Sequence, residues 1–206
     1  ELLAGLKAAT AAGKLFPVVC TSAILNIGVP QLLDAIVLTL PSPAERPFRF
    51  VGPDGVVASR PANEAAPLSA FVWKTIADPF AGRITMFRVV SGTLKSDSSV
   101  HNRSRDVAER VGSLQLLQGK TPAAVPEIKA GDIGTVAKLK DTLTNDTLGD
   151  KSDSAVFAAI TFPEPVLSYA IEPKSRGDED KINQAMHRLE EEDPSIRYSR
   201  DAQTKE

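Results

Sequence analysis

The segment 77–94, with the sequence ADPFAGRITMFRVVSGTL, constrains the fold of this chain more than any other feature. It begins with an Asp-Pro-Phe-Ala-Gly turn and ends with a Ser-Gly-Thr turn. Between the turns, Ile84 and Met86 alternate with Thr85 and Phe87, which is the period of a β-strand. Further strand-length runs, separated by Gly, Pro, Asp and Ser, continue to residue 162. Many short strands at this spacing predict a closed all-β barrel over residues 67–162.

Both flanks of the predicted barrel have a different pattern. Residues 1–40 predict helix, strand and helix, with the strand in the apolar run 15–20. Residues 41–66 predict a proline-rich linker with a small hairpin turning at Pro53-Asp54-Gly55. Residues 163–206 predict strand, helix and strand. Neither flank has enough strands for a sheet of its own. We therefore expect a mainly β fold, a barrel with truncated α/β segments at both ends.

Glycine, proline and aspartate mark where the predicted helices begin and end. Gly13 is placed to end the first helix, and Pro30 to occupy the first position of the second. Pro41 should stop that second helix, because proline lacks an amide and restricts the residue before it. In the last flank, Asp178 is a suitable N-cap and Pro194 should end the helix.

The composition excludes several classes of function. The 206 residues are 42% apolar and have a net charge of -2, so we expect neither a basic arm nor a disordered acidic tail. Cys20 is the single cysteine and cannot form an internal disulfide, which favours a cytoplasmic protein with a buried strand cysteine. No apolar run approaches the roughly 20 residues that span a bilayer. His101 and His187 are too few for a three-ligand zinc site, and no nucleophile is paired with a base. We predict no metal site and no catalytic residue.

Four phrases occur in a fixed order along the chain. They are Val18-Val19-Cys20-Thr21-Ser22-Ala23, Leu40-Pro41-Ser42-Pro43, the segment 77–94, and Phe162-Pro163-Glu164-Pro165 followed by Ala170-Ile171-Glu172-Pro173-Lys174. Together they resemble elongation factor G, the translational GTPase that drives ribosomal translocation. The resemblance implies the end of the GTPase domain in 1–40, the second-domain barrel in 67–162 and the start of the third domain in 163–206. It also implies that the chain is a middle piece of a longer protein.

The resemblance assigns a nucleotide-binding role to Ser22 and Ala23. In the family, a Ser-Ala pair follows a buried strand, and its backbone amides read the guanine oxygen. GTP and magnesium would be held by the full-length parent. This chain alone should bind neither, because Gly13-Lys14 is followed by Leu15, where a phosphate loop needs Ser or Thr for the magnesium. The Asp-x-x-Gly phrase at Asp146 falls inside the barrel and is interpreted as structural.

Basic residues are concentrated in the barrel sequence at Arg83, Arg88, Lys95, Arg103, Arg105 and Arg110. Ordinary surface charge is one interpretation of this cluster. The resemblance favours the other, contact with the phosphates of small-subunit ribosomal RNA, which would be salt-dependent and independent of sequence. Our order of preference is Lys95, then the pair Arg103 and Arg105, then Arg83. Arg88 comes last because its side chain could pair internally.

We expect a fragment of a translational GTPase whose barrel docks the factor on the small ribosomal subunit during translocation. The alternative is a free-standing β-barrel binding module unrelated to translation. The expected partner is the ribosome, not DNA or a membrane, and the expected state is a monomer in the cytoplasm. GTP hydrolysis would belong to the parent. That parent could be the main translocase, an elongation factor G-like paralogue or a ribosomal-protection relative.

Overall fold

A computed structural model describes residues 1–52, 55–78, 81–119, 121–175 and 177–199. The chain divides into two compact units, Glu1–Pro47 and Phe48–Glu206. Pro53 and Asp54 of the expected hairpin turn, and Pro79 and Phe80 of the expected turn at 78–82, lie outside the described residues. No helix in the described chain is long and apolar enough to cross a membrane.

The first unit contains two helices, α1 (Leu2–Ala11) and α2 (Val29–Thr39). Gly13 has a positive φ of 67° just after α1, and its amide donates to the Thr10 carbonyl at 3.0 Å. The Lys14 amide donates to the Ala9 carbonyl at 2.9 Å, which completes a Schellman motif. Pro30 lies in the first turn of α2. The helix ends before Leu40, which is extended as expected for a residue preceding proline.

The expected strand at 15–20 does not form, and this prediction is wrong. The segment between α1 and α2 is paired only at an isolated bridge between Ser22 and Ile27. A strand is stabilised by its partner, and no other segment of 1–47 is a strand that could pair with it. Cys20 is consequently exposed and not buried.

The second unit is built from antiparallel strands. In chain order these are β1 (Phe48–Val51), β2 (Val57–Arg60), β3 (Ser69–Asp78), β4 (Gly82–Ser91), β5 (Thr93–Lys95), β6 (Ser99–Asn102), β7 (Val107–Arg110), β8 (Leu114–Gln118), β9 (Thr121–Val125), β10 (Glu127–Lys129), β11 (Ile133–Ala137), β12 (Thr147–Gly149) and β13 (Val156–Phe157). The largest sheet has the order β7-β6-β12-β3-β4-β11-β8-β9. β5 pairs with β10, and β13-β1-β2 form a further sheet. The prediction of a mainly β, barrel-like fold with further segments at both ends is confirmed, and those segments contain small helical pieces.

Strand β4 has the alternation that its sequence predicts. Thr85, Phe87 and Val89 are buried, whereas Ile84 and Met86 on the other face are only half-buried. The buried face of β4 belongs to an apolar core whose members run from Leu68 to Leu148 in the sequence. The pairing of β4 with β3 shifts register twice, so the strands bend and the sheet can curve into a barrel-like shape.

The hairpin β1–β2 packs on the barrel and is more than a linker. β1 pairs with β13, placing Phe50 opposite Phe157. At the end of β2, the Arg60 guanidinium binds the Asp153 carboxylate through both terminal nitrogens, with Nη2 to Oδ1 at 3.0 Å. It also donates to the hydroxyl of Ser69 at 3.2 Å. The hairpin is therefore fixed to the strand ends of the larger sheet.

The last part of the chain contains helix α3 (Glu179–Glu192). Within the described residues of 163–206, no strand forms on either side of α3, which corrects the prediction of strand-helix-strand there. Val166 and Tyr169 of the first expected strand are 92% and 85% exposed, and this stretch has no partner strand in the described chain. Asp178 is at the N-cap position, but its carboxylate contacts Ser175 and Lys181 rather than a helix amide. α3 ends before Asp193, which is extended and precedes Pro194.

Candidate nucleic-acid interface

Lys95 is the last residue of β5 and its side chain is exposed. Within the described residues its ammonium has no ion pair and no hydrogen bond. Its backbone carbonyl accepts a hydrogen bond from the Ser98 hydroxyl at 2.6 Å, which orders the turn that follows. Glu64 and Asp150 line the same shallow groove as Lys95. Lys95 therefore presents a free positive charge at the edge of a partly acidic groove.

Arg103 and Arg105 lie in the turn between β6 and β7, not on a strand. Because β6 ends at Asn102, strand alternation does not place these two side chains on one face. The buried Asn102 side chain shapes this turn: its Oδ1 accepts the amides of Ser104 at 3.0 Å and Arg105 at 3.1 Å. Asparagine commonly closes turns in this way, since its side chain substitutes for a backbone acceptor.

The two arginines of this turn have intramolecular partners. The Nε of Arg105 donates to Asp146 Oδ2 at 2.7 Å, and the arginine side chain is 41% exposed. Asp146 also accepts hydrogen bonds from Asn102 at 2.9 Å and from the Leu143 amide at 2.8 Å. This network gives the Asp-x-x-Gly phrase a structural role. Arg103 donates from Nη1 to the Lys151 carbonyl at 3.1 Å, while its Nε is buried without a partner in the described chain.

Arg83 and Arg88 of β4 are engaged on different faces of the sheet. Arg83 pairs with Glu191 of α3 and donates from Nη1 to the Lys140 carbonyl at 2.7 Å. Arg88 donates from Nε to the Gly131 carbonyl at 3.1 Å and stacks on the Phe48 ring, 5.2 Å from its centre. Of the candidate RNA-binding residues Lys95, Arg103, Arg105 and Arg83, only Lys95 has a cationic group with no intramolecular acceptor among the described residues.

Ser22 and Ala23 lie in a tight turn of the first unit. The Ser22 amide donates to the Ile27 carbonyl at 2.9 Å, and the Ile27 amide returns a bond to the Ser22 carbonyl at 3.0 Å. The Asn26 amide donates to the Ala23 carbonyl at 3.3 Å. The amides of Ala23 and Ile24 have no acceptor in the described chain. Two neighbouring free amides can bind a carbonyl oxygen of a ligand.

Gly28 closes this turn at the start of α2. Its φ is 77°, and a Cβ atom at this position would lie 3.1 Å from the Cys20 carbonyl oxygen. Any larger residue would therefore be strained in both conformation and space. The turn that carries Ser22 and Ala23 depends on this glycine.

Two buried carboxylates that the sequence did not single out stabilise the barrel. Glu109 of β7 is 3% exposed and accepts the amides of Lys140, Asp141 and Thr142 at 3.1, 2.8 and 2.9 Å. Burial raises the pKa of Glu109, but these hydrogen bonds outweigh it and hold the pKa below its ordinary value. Burial also raises the pKa of Asp153, but the hydrogen bonds from Arg60 and the Ala155 amide have the larger effect. The pKa of Asp153 is therefore below its ordinary value. No local sequence pattern indicates either role, since the partners are 31 to 93 positions away.

No group of three or more potential metal ligands occurs among the described residues. This finding concerns only that part of the chain.

Comparison with known proteins shows which families this chain is similar to. A model of elongation factor G domain 2 matches residues 67–151, and a model of elongation factor G domain III matches residues 162–206. A crystal structure of a protein from Thermus thermophilus is similar with a TM-score of 0.78 and 31% sequence identity. That similarity covers 99% of this chain and 28% of the Thermus chain.

The barrel and the segment that follows it thus define a translation elongation factor-like protein. The chain belongs to the elongation factor G-like proteins. Residues 67–151 correspond to domain II and residues 162–206 to domain III of that family. The resemblance stated from the sequence phrases is confirmed. The chain spans 28% of the length of the Thermus protein.

Proposed function

We propose that the barrel docks an elongation factor G-like GTPase on the small ribosomal subunit during translocation. The observation that carries the proposal is that the domain 2 model matches the barrel, on which Lys95 presents a free cation. An exposed ammonium with no internal partner is available to a phosphate without the loss of another interaction. The resulting contact would be electrostatic, salt-dependent and insensitive to RNA sequence.

The other candidate cations are ranked below Lys95 by their internal partners. Arg105 would have to keep the bond from its Nε to Asp146 while its terminal N–H groups donated to a phosphate. Its 41% exposure permits this. Arg103 and Arg83 already donate to backbone carbonyls, and their side chains are less exposed. Lys95 is therefore the first contact to test, and Arg105 the second.

GTP and magnesium belong, in this proposal, to the longer protein of which the chain is part. The free amides of Ala23 and Ile24, in the turn that begins at Ser22, would contact the guanine oxygen. The phosphates and magnesium need a loop that Gly13-Lys14-Leu15 does not provide. The chain alone should therefore give no measurable heat with GTP in calorimetry, and micromolar affinity would contradict this part of the proposal. The same proposal makes the protein a cytoplasmic monomer whose nucleic-acid partner is RNA and not DNA.

Co-sedimentation with purified small ribosomal subunits tests the docking proposal. Lys95→Glu should weaken binding of the chain by about tenfold at about 50 mM salt, with a smaller effect at higher salt, because the lost contact is electrostatic. Lys181→Glu is the matched control. It makes the same change in net charge on α3, where Lys181 has only an exposed pair with Asp178.

The results separate docking from nonspecific charge effects. Binding that falls for Lys95→Glu and not for Lys181→Glu supports the proposed face. Equal losses in both variants, or no loss at any salt concentration, would mean that this face does not dock. If the unchanged chain fails to sediment with the subunits even at low salt, the alternative of a binding module unrelated to translation gains support.

A further inference from the structure

Helix α3 contacts the barrel through a two-point ion pair. The Arg83 guanidinium binds Glu191 through Nε and Nη2, with Nε to Oε2 at 3.2 Å. Its third nitrogen, Nη1, donates to the Lys140 carbonyl at 2.7 Å. The two charged side chains are 19% and 32% exposed, so solvent reaches the pair. The carboxylate of Glu191 thus occupies the planar fork of an arginine on the barrel surface.

Lys138 and Lys140 contact Arg83 through their backbones, and Lys74 lies near the end of α3. We call Lys74, Arg83, Lys138 and Lys140 the basic corner. Lys138 adjoins Arg83, since its amide donates to the Arg83 carbonyl at 2.8 Å. Lys74 lies near another acidic residue at the end of α3, the C-cap Asp193. The pKa of Asp193 lies below its ordinary value, chiefly through its hydrogen bonds with Ser195 and also through the charge of Lys74. The three lysines are exposed and have no ion pair within the described residues.

The acidic end of α3 is unfavourable for the helix itself. Glu190, Glu191 and Glu192 form its last turn, with no basic residue among them. Negative charge at a helix C-terminus is opposed by the helix dipole. The pairing of Glu191 with Arg83 offsets this cost, because a cation of the barrel balances the negative charge at the end of the helix.

Apolar packing does not hold α3 firmly in place. None of its described residues is buried, and Leu189 is 44% exposed. Part-exposed ion pairs contribute little stability and weaken with salt. A competing anion could therefore displace the end of α3 from the barrel at small cost.

We propose that the basic corner is a binding surface for RNA phosphates, and that the acidic end of α3 covers it as an internal competitor. Carboxylate and phosphate oxygens are both bound by the planar arginine fork, so Glu191 stands where a phosphate would bind. The inference rests on the proposed ribosomal function and concerns the opposite end of β4 from Lys95. Release of α3 would add Arg83 and its neighbouring lysines to the RNA contacts of the barrel.

The test measures RNA affinity of the full 206-residue chain by fluorescence anisotropy, with a labelled oligouridylate as the probe. The variant Glu191→Gln/Asp193→Asn removes two negative charges. The side-chain oxygen at position 193 can still accept the hydrogen bond from the Ser195 amide. We expect the variant to bind about three- to tenfold more tightly than the unchanged chain at about 50 mM salt, with the gain falling as salt rises. Adding Arg83→Gln should remove most of the gain.

Glu179→Gln/Asp180→Asn is the matched control, with the same change in net charge at the opposite end of the same helix. A gain in this control equal to that of the first variant would overturn the proposal, since any added charge would then suffice. Equal affinity of the first variant and the unchanged chain would also overturn it, as would a gain that survives Arg83→Gln. Thermal unfolding of each variant establishes that the barrel is folded when affinity is compared.

Failure of this inference can be told apart from failure of the proposed function. If Lys95→Glu weakens binding to small ribosomal subunits but the Glu191 variant shows no gain, the docking proposal is supported. The proposal that α3 competes with RNA is then rejected. If the Glu191 gain occurs with RNA while the unchanged chain does not sediment with the subunits at any salt concentration, the basic corner binds RNA but the ribosomal assignment fails.

Discussion

At the residue scale, the arginines of the barrel are distinguished by their acceptors. Arg83, Arg88, Arg103 and Arg105 belong to one basic cluster in the sequence, and internal pairing was expected only of Arg88. Each donates to a carbonyl or a carboxylate of the same chain. Because those acceptors lie 41 to 108 positions away, no local spacing could predict them. The first-ranked residue, Lys95, is exposed and has no such acceptor among the described residues.

Glu109 gives the sharpest prediction at this scale. Glu109→Gln should lower the free energy of unfolding at pH 7 by about 2 kcal/mol, because charge-assisted hydrogen bonds are lost and an NH2 group faces backbone donors. Glu127→Gln, on β10 and without such bonds among the described residues, is the control and should change stability little. Urea unfolding of both variants provides the measurement. An unchanged midpoint for Glu109→Gln would mean that the amides of 140–142 find other acceptors.

The pH dependence of stability follows from the same carboxylate. The folded-state pKa of Glu109 is lowered, so its contribution is present above the unfolded-state pKa, which is about 4.3. That contribution is lost as pH falls through the folded-state pKa. The stability difference between the unchanged chain and Glu109→Gln should therefore shrink as urea titrations move from neutral pH to below about pH 4.

At the scale of elements, side-chain alternation predicted a strand correctly only where a partner strand exists. β4 is paired on both sides, by β3 and β11, and its faces alternate as the sequence predicts. The apolar runs at 15–20 and 166–171 have equally suitable composition but no partner strand in the described chain. A sequence pattern reports which faces are apolar. It does not report whether another strand is available to accept the backbone hydrogen bonds.

Gly92, where the chain leaves β4 for β5, supports a prediction about this element boundary. Its φ is 74°, and an added Cβ would lie 2.6 Å from the Cα of Leu68. Gly92→Ala should therefore reduce the free energy of unfolding by about 2 to 4 kcal/mol, through left-handed strain and a backbone clash. Gly112→Ala is the control, because a Cβ added there would have no atom within 4 Å and its φ is not positive. Similar urea midpoints for the two variants would show that the β4–β5 boundary adjusts without cost.

At the scale of the whole molecule, the order of parts was predictable and their attachments were not. The barrel and its position between two helical flanks follow from turn spacing and periodicity. That the hairpin β1–β2 belongs with the barrel does not follow, because it depends on Arg60 reaching Asp153, 93 positions away. The buried apolar core lies within Leu68–Phe157, whereas Thr39 is the buried residue of Glu1–Pro47. Stability should therefore be concentrated in the barrel with its hairpin.

Limited trypsin digestion of the full chain tests this distribution. We expect early cleavage after Lys14, which is exposed between α1 and α2, and after Lys174, in the exposed stretch before α3. Arg46 is followed by proline, a bond that trypsin does not cut, so the next site toward the barrel is Arg49 of β1. Arg49 should be protected, because β1 is paired with both β2 and β13. The resistant product should therefore retain the hairpin.

Removing the anchor of the hairpin should change this digestion pattern. Arg60→Met abolishes the bonds to Asp153 and Ser69, so β1 should open more often and cleavage after Arg49 should appear in mass spectra of the products. Arg197→Met is the control, since it removes an arginine with an exposed ion pair at the other end of the chain. Cleavage at Lys95 or Arg110 before any cleavage at the flanking lysines would contradict the distribution, because the barrel would then open more readily than its flanks.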